Sequence, residues 1–260
     1  MLDGKKLLVT GVRNKRSVAY WIVEEIIAQG GEVALTSIEV DRTIRAVDKL
    51  STSLPVWYLD ITEPESILAT KEKVESLWGS LDGIVHSIAH ADKECISPDF
   101  FKADRHQVFE GFDVSSFSLV TLAKEFTPLM NRGGSIVSLS FDTTQIWPPY
   151  GWMNFFKIAL EYLTKMVAIR LGEEEIRANV ISAGTMRTLS ARGIPGFSEM
   201  ADKYEQAAPL EWNSSNSQQF VADVCAWLLS DESEKITGEV IHVDSGANIK
   251  SSVAFKDQVV

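Results

Sequence analysis

Short apolar runs of strand length alternate along the chain with longer stretches in which apolar residues recur at helical spacing. KKLLVT (5–10) predicts a first strand, and VAYWIVEEIIAQ (18–29) a helix that Gly30-Gly31 ends. EVALTS (32–37) is a second strand, TIRAVDKLS (43–51) a helix and PVWYLDI (55–61) a third strand. PESILATKEKVESLW (64–78) is amphipathic, and LDGIVHSI (81–88) predicts a fourth strand. Asp104 to Met130 predicts one long helix or a pair, and GGSIVSLSF (133–141) a fifth strand. A helix carrying Tyr150 then runs to about Arg170. IRANVISAG, FVADVCAWLLS and GEVIHVDSG follow as strand, helix and strand.

Strand–helix alternation of this kind predicts an α/β fold, a parallel sheet with helices on both faces. No internal repeat, low-complexity stretch or linker interrupts it, so residues 1–260 are expected to form one Rossmann-type doubly wound domain. Ligands in such sheets bind beyond the carboxyl ends of the strands. The loops after Thr10, Thr36, Leu59, Ser87, Ser140 and Ala183 therefore belong to one rim.

Composition narrows the function class. Apolar residues make up 45% and charged residues 23%, ordinary for a soluble protein. No run approaches the ~20 apolar residues of a membrane span. Met1 to Gly4 lead directly into the first strand, leaving no room for a signal peptide. Cys95 and Cys225 lack metal or redox spacing, which fits a reduced cytoplasm. The four histidines are scattered, so no metal site is expected. A net charge of −11 argues against non-specific nucleic-acid binding.

The most telling chemistry is Tyr150-x6-Lys157 in PPYGWMNFFK. On a helix of about 3.6 residues per turn, this spacing points a phenol and an ammonium the same way. Such a pair binds a carbonyl oxygen and a sugar hydroxyl side by side, and the ammonium favours negative charge developing near the phenol. TGVRNKRSVAY places a glycine turn before a helix, which suits a pyrophosphate or is an ordinary turn capped by Ser17. GxGxxG is absent. Asp60 ends the third strand, either to accept a hydrogen bond from an adenine amino group or to cap a helix.

Taken together, these residues resemble the enoyl-acyl-carrier-protein reductases, a branch of the short-chain dehydrogenase/reductases. The likeness rests on Gly11 followed after five residues by Ser17-Val18-Ala19, LDI with Asp60, HSIA at 86–89, Tyr150-x6-Lys157, AGTMRTLSARGI at 183–194 and GEVIHVDSG. It spans about Leu2 to Asn248. Phe141 with Tyr150-Gly151-Trp152-Met153 looks like the branch serving mycolic-acid elongation. Ordinary superfamily members carry TGxxxGxG where this chain has Lys15 and Ser17.

The resemblance implies a homo-oligomer, usually a tetramer, that reduces the trans-2 double bond of enoyl thioesters on acyl carrier protein or CoA. Gly11, Val12, Ser17 and Val18 would line the cofactor pyrophosphate, and Asp60 and Ile61 the adenine. Ser87, Ile88 and Ala89 would pass the ribose, and Gly184, Met186 and Thr188 would hold the nicotinamide and its phosphate. The apolar members of this set equally suit core packing. Tyr150 would donate to the thioester oxygen and Lys157 bind the ribose hydroxyls; Phe141 would be a wall of the pocket or ordinary core, and Met153 would stand near substrate.

NADH is the expected cofactor, because Glu39 and Asp41 after the second strand repel a 2′-phosphate while Ile38 packs on adenine. Arg42 is the one nearby base in this reading. The substrate-binding loop, about 189–208, is short for the mycolic branch and suits ordinary fatty-acid chains. Its PGFSEMADKYEQ stretch is acidic, so an acidic carrier should dock weakly, with Arg192 the best local contact. Thr185, Ser245 and Phe156 depart from the family pattern. Two alternatives are a carbonyl reductase using Ser138 or Ser140 as third catalytic group, and an idle dinucleotide-binding regulator.

Overall fold

The computed structural model describes residues 1–50 and 54–249. Seven parallel strands form one sheet in the order β3-β2-β1-β4-β5-β6-β7. They are β1 (Lys6–Thr10), β2 (Glu32–Ser37), β3 (Val56–Tyr58), β4 (Leu81–His86), β5 (Met130–Ser140), β6 (Arg177–Ala183) and β7 (Val240–Val243). From β1 the chain winds outward to β2 and β3, then returns to lay β4 on the other side of β1. The crevice at this reversal is where open α/β sheets bind ligands.

The strands are apolar almost throughout because both faces of the sheet are covered. Leu7, Val9, Leu35, Val85, Val137 and Ile181 face one core, closed by α1 (Val18–Ala28) and α8 (Gln218–Leu229). Leu8, Ala34, Ile84, Ile136 and Ala178 face the other. That second core is closed by α3 (Pro64–Trp78), α5 (Ser118–Phe126) and α6 (Met153–Leu171). Neighbouring residues of one strand thus serve opposite cores, as period-two side-chain alternation requires.

Local signals set most helix ends. Pro64 opens α3 and Gly79, at φ 72°, closes it. α4 (Arg105–Phe112) begins with a capping box between Asp104 and Gln107. The helix expected over 104–130 is a broken pair: α4 passes through a π-helical turn, Asp113–Phe117, into α5, and β5 begins at Met130. The helix expected over 43–51 is α2 (Val40–Val47); Ser51 lies outside the described residues.

Two departures from the family pattern are absorbed by packing. Phe156 is fully buried, and a Cβ on Gly111 would lie 2.5 Å from its ring, so the small residue on α4 makes room for the large one on α6. The Ser116 hydroxyl in the π-turn donates to the Phe156 carbonyl at 2.7 Å, fixing the two segments together. Ser245 takes a left-handed φ of 56°, and its hydroxyl donates to the Glu211 carbonyl at 3.1 Å.

Candidate active site

The site forms at the carboxyl end of β5. Contrary to the helical-spacing argument, Tyr150 does not lie on α6. It ends a 3-10 turn, Pro148–Tyr150, and α6 starts only at Met153. Gly151 separates them at φ 50°, ψ −125°. A Cβ there would lie 2.3 Å from the Cys95 carbonyl oxygen, which accepts from the Trp152 amide at 2.8 Å. Tyr150 is placed by this turn rather than by two turns of helix.

Tyr150 and Lys157 nevertheless meet the same strand end. The Phe141 ring lies 4.6 Å from the Tyr150 ring, tilted by 41°. Lys157 reaches back from α6, and its Nζ donates to the Leu139 carbonyl at 2.8 Å. The Tyr150 hydroxyl makes no hydrogen bond to any described residue, whereas Lys157 is buried. Burial raises the Tyr150 pKa well above that of an ordinary phenol, so the hydroxyl keeps its proton and remains a donor. Burial also lowers Lys157, to about 8, with the Glu161 carboxylate opposing that fall.

Glu161 anchors the loop that carries these groups. Its carboxylate accepts from the Ser140 and Thr143 hydroxyls, each at 2.7 Å. Asn154 clamps the same loop through Trp147, accepting from its amide and donating to its carbonyl, both at 2.9 Å. Ser140 is thus committed to Glu161, and Ser138 is fully buried. Phe141, at the end of the same strand, is the residue whose side chain lies against Tyr150.

His86, at the end of β4, is fully buried and neutral, its pKa pushed down by burial to about 3. The Ser118 hydroxyl donates to the Val114 carbonyl, so His86 Nε2 carries the proton it gives to Ser118 Oγ at 2.7 Å. His90 lies apart in the following loop. Among the described residues no group of three or more His, Cys, Asp or Glu side chains could hold a metal ion.

Most of the residues expected at a dinucleotide fall just after strands β1 to β4 and β6, and they differ in exposure. Gly11, at φ 77°, follows β1, and a Cβ on it would sit 2.0 Å from the Ser87 carbonyl oxygen after β4. Bare backbone there leaves room that any side chain would fill. Ser17 precedes α1, but its hydroxyl donates to the Asn14 carbonyl and does not cap the helix, so the first-turn amides face the rim without a side-chain partner. Val18 begins α1, while Val12 is fully buried in the core. Ile38 is 57% exposed just after β2. Asp60 Oδ1 accepts from the Thr62 amide and hydroxyl, and Glu63 rather than Asp60 stands at the start of α3.

Ile61 and Ile88 pack partly against the second core, Met186 packs against the first, and Met153 is buried at the start of α6. Ala89 continues the loop after β4, and Thr188 accepts from the Ala191 amide at 3.2 Å. A Cβ on Gly184 would meet the Trp212 ring at 2.7 Å and the Tyr204 hydroxyl at 3.0 Å. Tyr204 was not singled out by sequence reasoning. It lies on α7 (Phe197–Ala207), inside the expected substrate loop, with ring centres 6.3 Å from Trp147 and 6.4 Å from Trp212. Burial raises its pKa as well. No motif in the sequence marks it; the fold brings it beside Gly184, Trp147 and Trp212.

These features decide the family once set beside known proteins. A family profile described as enoyl-(acyl carrier protein) reductase matches residues 11–248. The chain belongs to that family. It is 36% identical over 262 residues to an enoyl-[acyl-carrier-protein] reductase [NADH] of Mycobacterium avium, covering 95% of this chain and 97% of the relative. The Neisseria meningitidis enoyl-[acyl-carrier-protein] reductase [NADH] FabI is 37% identical, covering 96% and 97%. The Aquifex aeolicus FabI reductase is 35% identical across 100% of this chain and 97% of the relative. An enoyl reductase of this family needs a dinucleotide along the rim, and the uncapped α1 amides, the bare Gly11 and the exposed Ile38 suit one.

Loss of the Lys157 ammonium gives a pH signature. With its pKa near 8, NADH binding should weaken as pH rises through that value, and the limb should vanish in Lys157→Met. Folding responds oppositely. Between about 8 and 10.5 the unfolded chain binds the extra proton, so this group's contribution to stability increases with pH. Fluorescence titration of NADH between pH 6 and about 10, beside thermal melts, separates the two trends. A flat NADH affinity across that range would remove Lys157 from the cofactor site.

Proposed function

We propose that this enzyme reduces the trans-2 double bond of enoyl thioesters with NADH, with Tyr150 and Lys157 as its catalytic pair. The observation that supports it most is the Tyr150 hydroxyl, protonated and free of described partners, on a ring packed against Phe141. NADH held along the rim would supply hydride to the substrate β-carbon. Tyr150 donates a hydrogen bond to the thioester oxygen as the enolate develops, and the α-carbon is protonated afterwards. Lys157 holds ribose hydroxyls and adds positive potential beside the phenol. Gly11, Ser17, Val18, Ile38 and Asp60 are read as the adenosine and pyrophosphate contacts, and Gly184, Met186 and Thr188 as nicotinamide contacts. Phe141, Met153 and the segment 189–208, with Tyr204, form the substrate side. NADH oxidation with enoyl thioesters of graded length, beside a ketone panel, tests this. Ketone turnover without enoyl turnover would overturn it.

Acyl carrier protein and CoA thioesters are both read as substrates, in a cytoplasmic setting. On α7, Lys203 pairs with Glu199 at 2.7 Å, and Asp202 of the same helix pairs with Arg187 at 2.5 Å, so these two cations are already neutralised. Arg192 is not among the ion pairs of the described residues. Carrier and CoA forms of one acyl chain should therefore show similar kcat/KM with little salt dependence. A large carrier preference that collapses with salt would reveal strong docking.

A homo-oligomer, as a tetramer, completes the reading. Its support is an apolar stripe on α6, where Phe155, Ile158, Tyr162, Met166 and Ile169 stand exposed, Ile169 at 83%. Light scattering giving one chain mass would refute it.

A further inference from the structure

β6 ends at Ala183, and the chain runs on without regular structure through Gly184, Thr185, Met186, Arg187 and Thr188. Gly184, Met186 and Thr188 are the nicotinamide contacts of the function proposed above. Thr185, a departure from the family pattern, stands among them. Ladder bonding stops at Gly184, whose amide donates to the Val243 carbonyl at 2.9 Å, and the Thr185 amide donates to no described residue. The shape of this ledge is therefore set by contacts from other parts of the fold.

Trp212 supplies the main one. It is 3% exposed, and its indole Nε1 donates to the Thr185 carbonyl at 2.8 Å. The same ring lies on Gly184, where a Cβ would be 2.7 Å from Trp212 Cζ2 and 2.8 Å from Cε2. Two residues on from Thr185, the Arg187 amide donates to the Ser214 carbonyl at 2.8 Å. α7 holds this brace in turn. Glu205 Oε1 accepts from the Ser214 amide at 2.8 Å and from the Ser214 hydroxyl, and the Tyr204 ring stands edge-on to Trp212 with centres 6.4 Å apart. One side chain thus grips two adjacent ledge residues, and its single N–H is wholly committed to them.

We propose that Trp212 is a positioning residue for hydride transfer, holding Gly184 to Thr188 in the shape that receives the nicotinamide before the dinucleotide arrives. Hydride transfer needs its donor carbon within a narrow range of distance and angle, and a misplacement of about 1 Å costs on the order of 10²-fold. A ledge fixed in advance also spares binding the cost of ordering it. The adenosine end is built on other strands and does not depend on Trp212. The inference rests on the rim assignment in the function proposed above.

Trp212→Phe removes the N–H and keeps an aromatic ring. NADH and ADP-ribose, which has the adenosine and diphosphate of NADH without the nicotinamide, are titrated by calorimetry into wild type, Trp212→Phe, and Trp212→Phe with Thr185→Pro. The expected result in Trp212→Phe is NADH binding about 3–10-fold weaker, with ADP-ribose changed less than about twofold. Thr185→Pro should recover most of that loss, since proline fixes φ and the Thr185 amide has no described acceptor to lose. Unchanged NADH affinity, equal weakening of both ligands, or a loss that proline does not reduce overturns the positioning role while leaving the rim assignment standing. Hydrogen exchange over residues 184–188 of the unaltered protein tests the same point without any substitution. Slow exchange without nucleotide, changed less than about threefold by NADH, is expected; fast exchange that NADH slows about 10-fold or more would show that the cofactor, not Trp212, orders the ledge. Binding of neither ligand to wild type removes the rim assignment and this inference with it.

Discussion

Tyr150→Phe is expected to lower kcat with an enoyl thioester about 10²–10³-fold, while NADH affinity changes by less than about twofold. The change removes one oxygen and leaves the ring, whose contact with Phe141 at 4.6 Å should persist. Because the hydroxyl bonds to no described residue, folding loses no hydrogen bond, and stability should stay within about 0.5 kcal/mol. A donor serving the thioester oxygen matters most as charge develops there, so its loss acts on the transition state rather than on ground-state binding. Steady-state kinetics with a parallel NADH titration reads both effects. Wild-type turnover in Tyr150→Phe would mean that another group donates to the oxygen.

Gly11→Ala should produce the largest combined loss of stability and cofactor binding. Its φ of 77° lies where an L-residue costs about 1–2 kcal/mol. The new methyl would also lie 2.0 Å from the Ser87 carbonyl oxygen. That loop cannot easily retreat: the Ser87 amide donates to Thr10 Oγ1 at 3.1 Å, and Thr10 donates to the Val85 carbonyl at 2.9 Å. Overpacking adds about 1–3 kcal/mol, giving a total of about 2–5 kcal/mol. At about 2–4 °C per kcal/mol, the melting temperature should fall by about 5–20 °C. The shift that NADH normally adds to that temperature should shrink as well, since the methyl occupies the rim. An unchanged melt with a full NADH shift would show that the β1 and β4 loops separate freely.

The fold was readable because its signals are local. Strand-length apolar runs, helical apolar spacing and the glycine pair after α1 each depend on a few adjacent residues, and most elements formed close to their expected places. The family motifs were readable for a related reason, since Gly11 and Asp60 follow strands that the alternation itself locates, and Tyr150 and Lys157 stand a fixed seven residues apart. What the chain could not reveal locally were distances between segments far apart in it. Seven-residue spacing suggested one helix for Tyr150 and Lys157, yet Gly151 breaks the path, and the end of β5 brings them together through Phe141 and the Leu139 carbonyl. Phe156 read as excess bulk until α4 placed Gly111 beneath it. Arg13 and Arg45 lie 32 positions apart and share a cavity only because Thr43 ties α2 to the loop after β1. Sequence periodicity therefore determined the layers and the rim, because backbone hydrogen bonding and burial impose it residue by residue. Tertiary packing alone decided which side chains face one another across that rim, because those contacts are set by where whole elements come to rest.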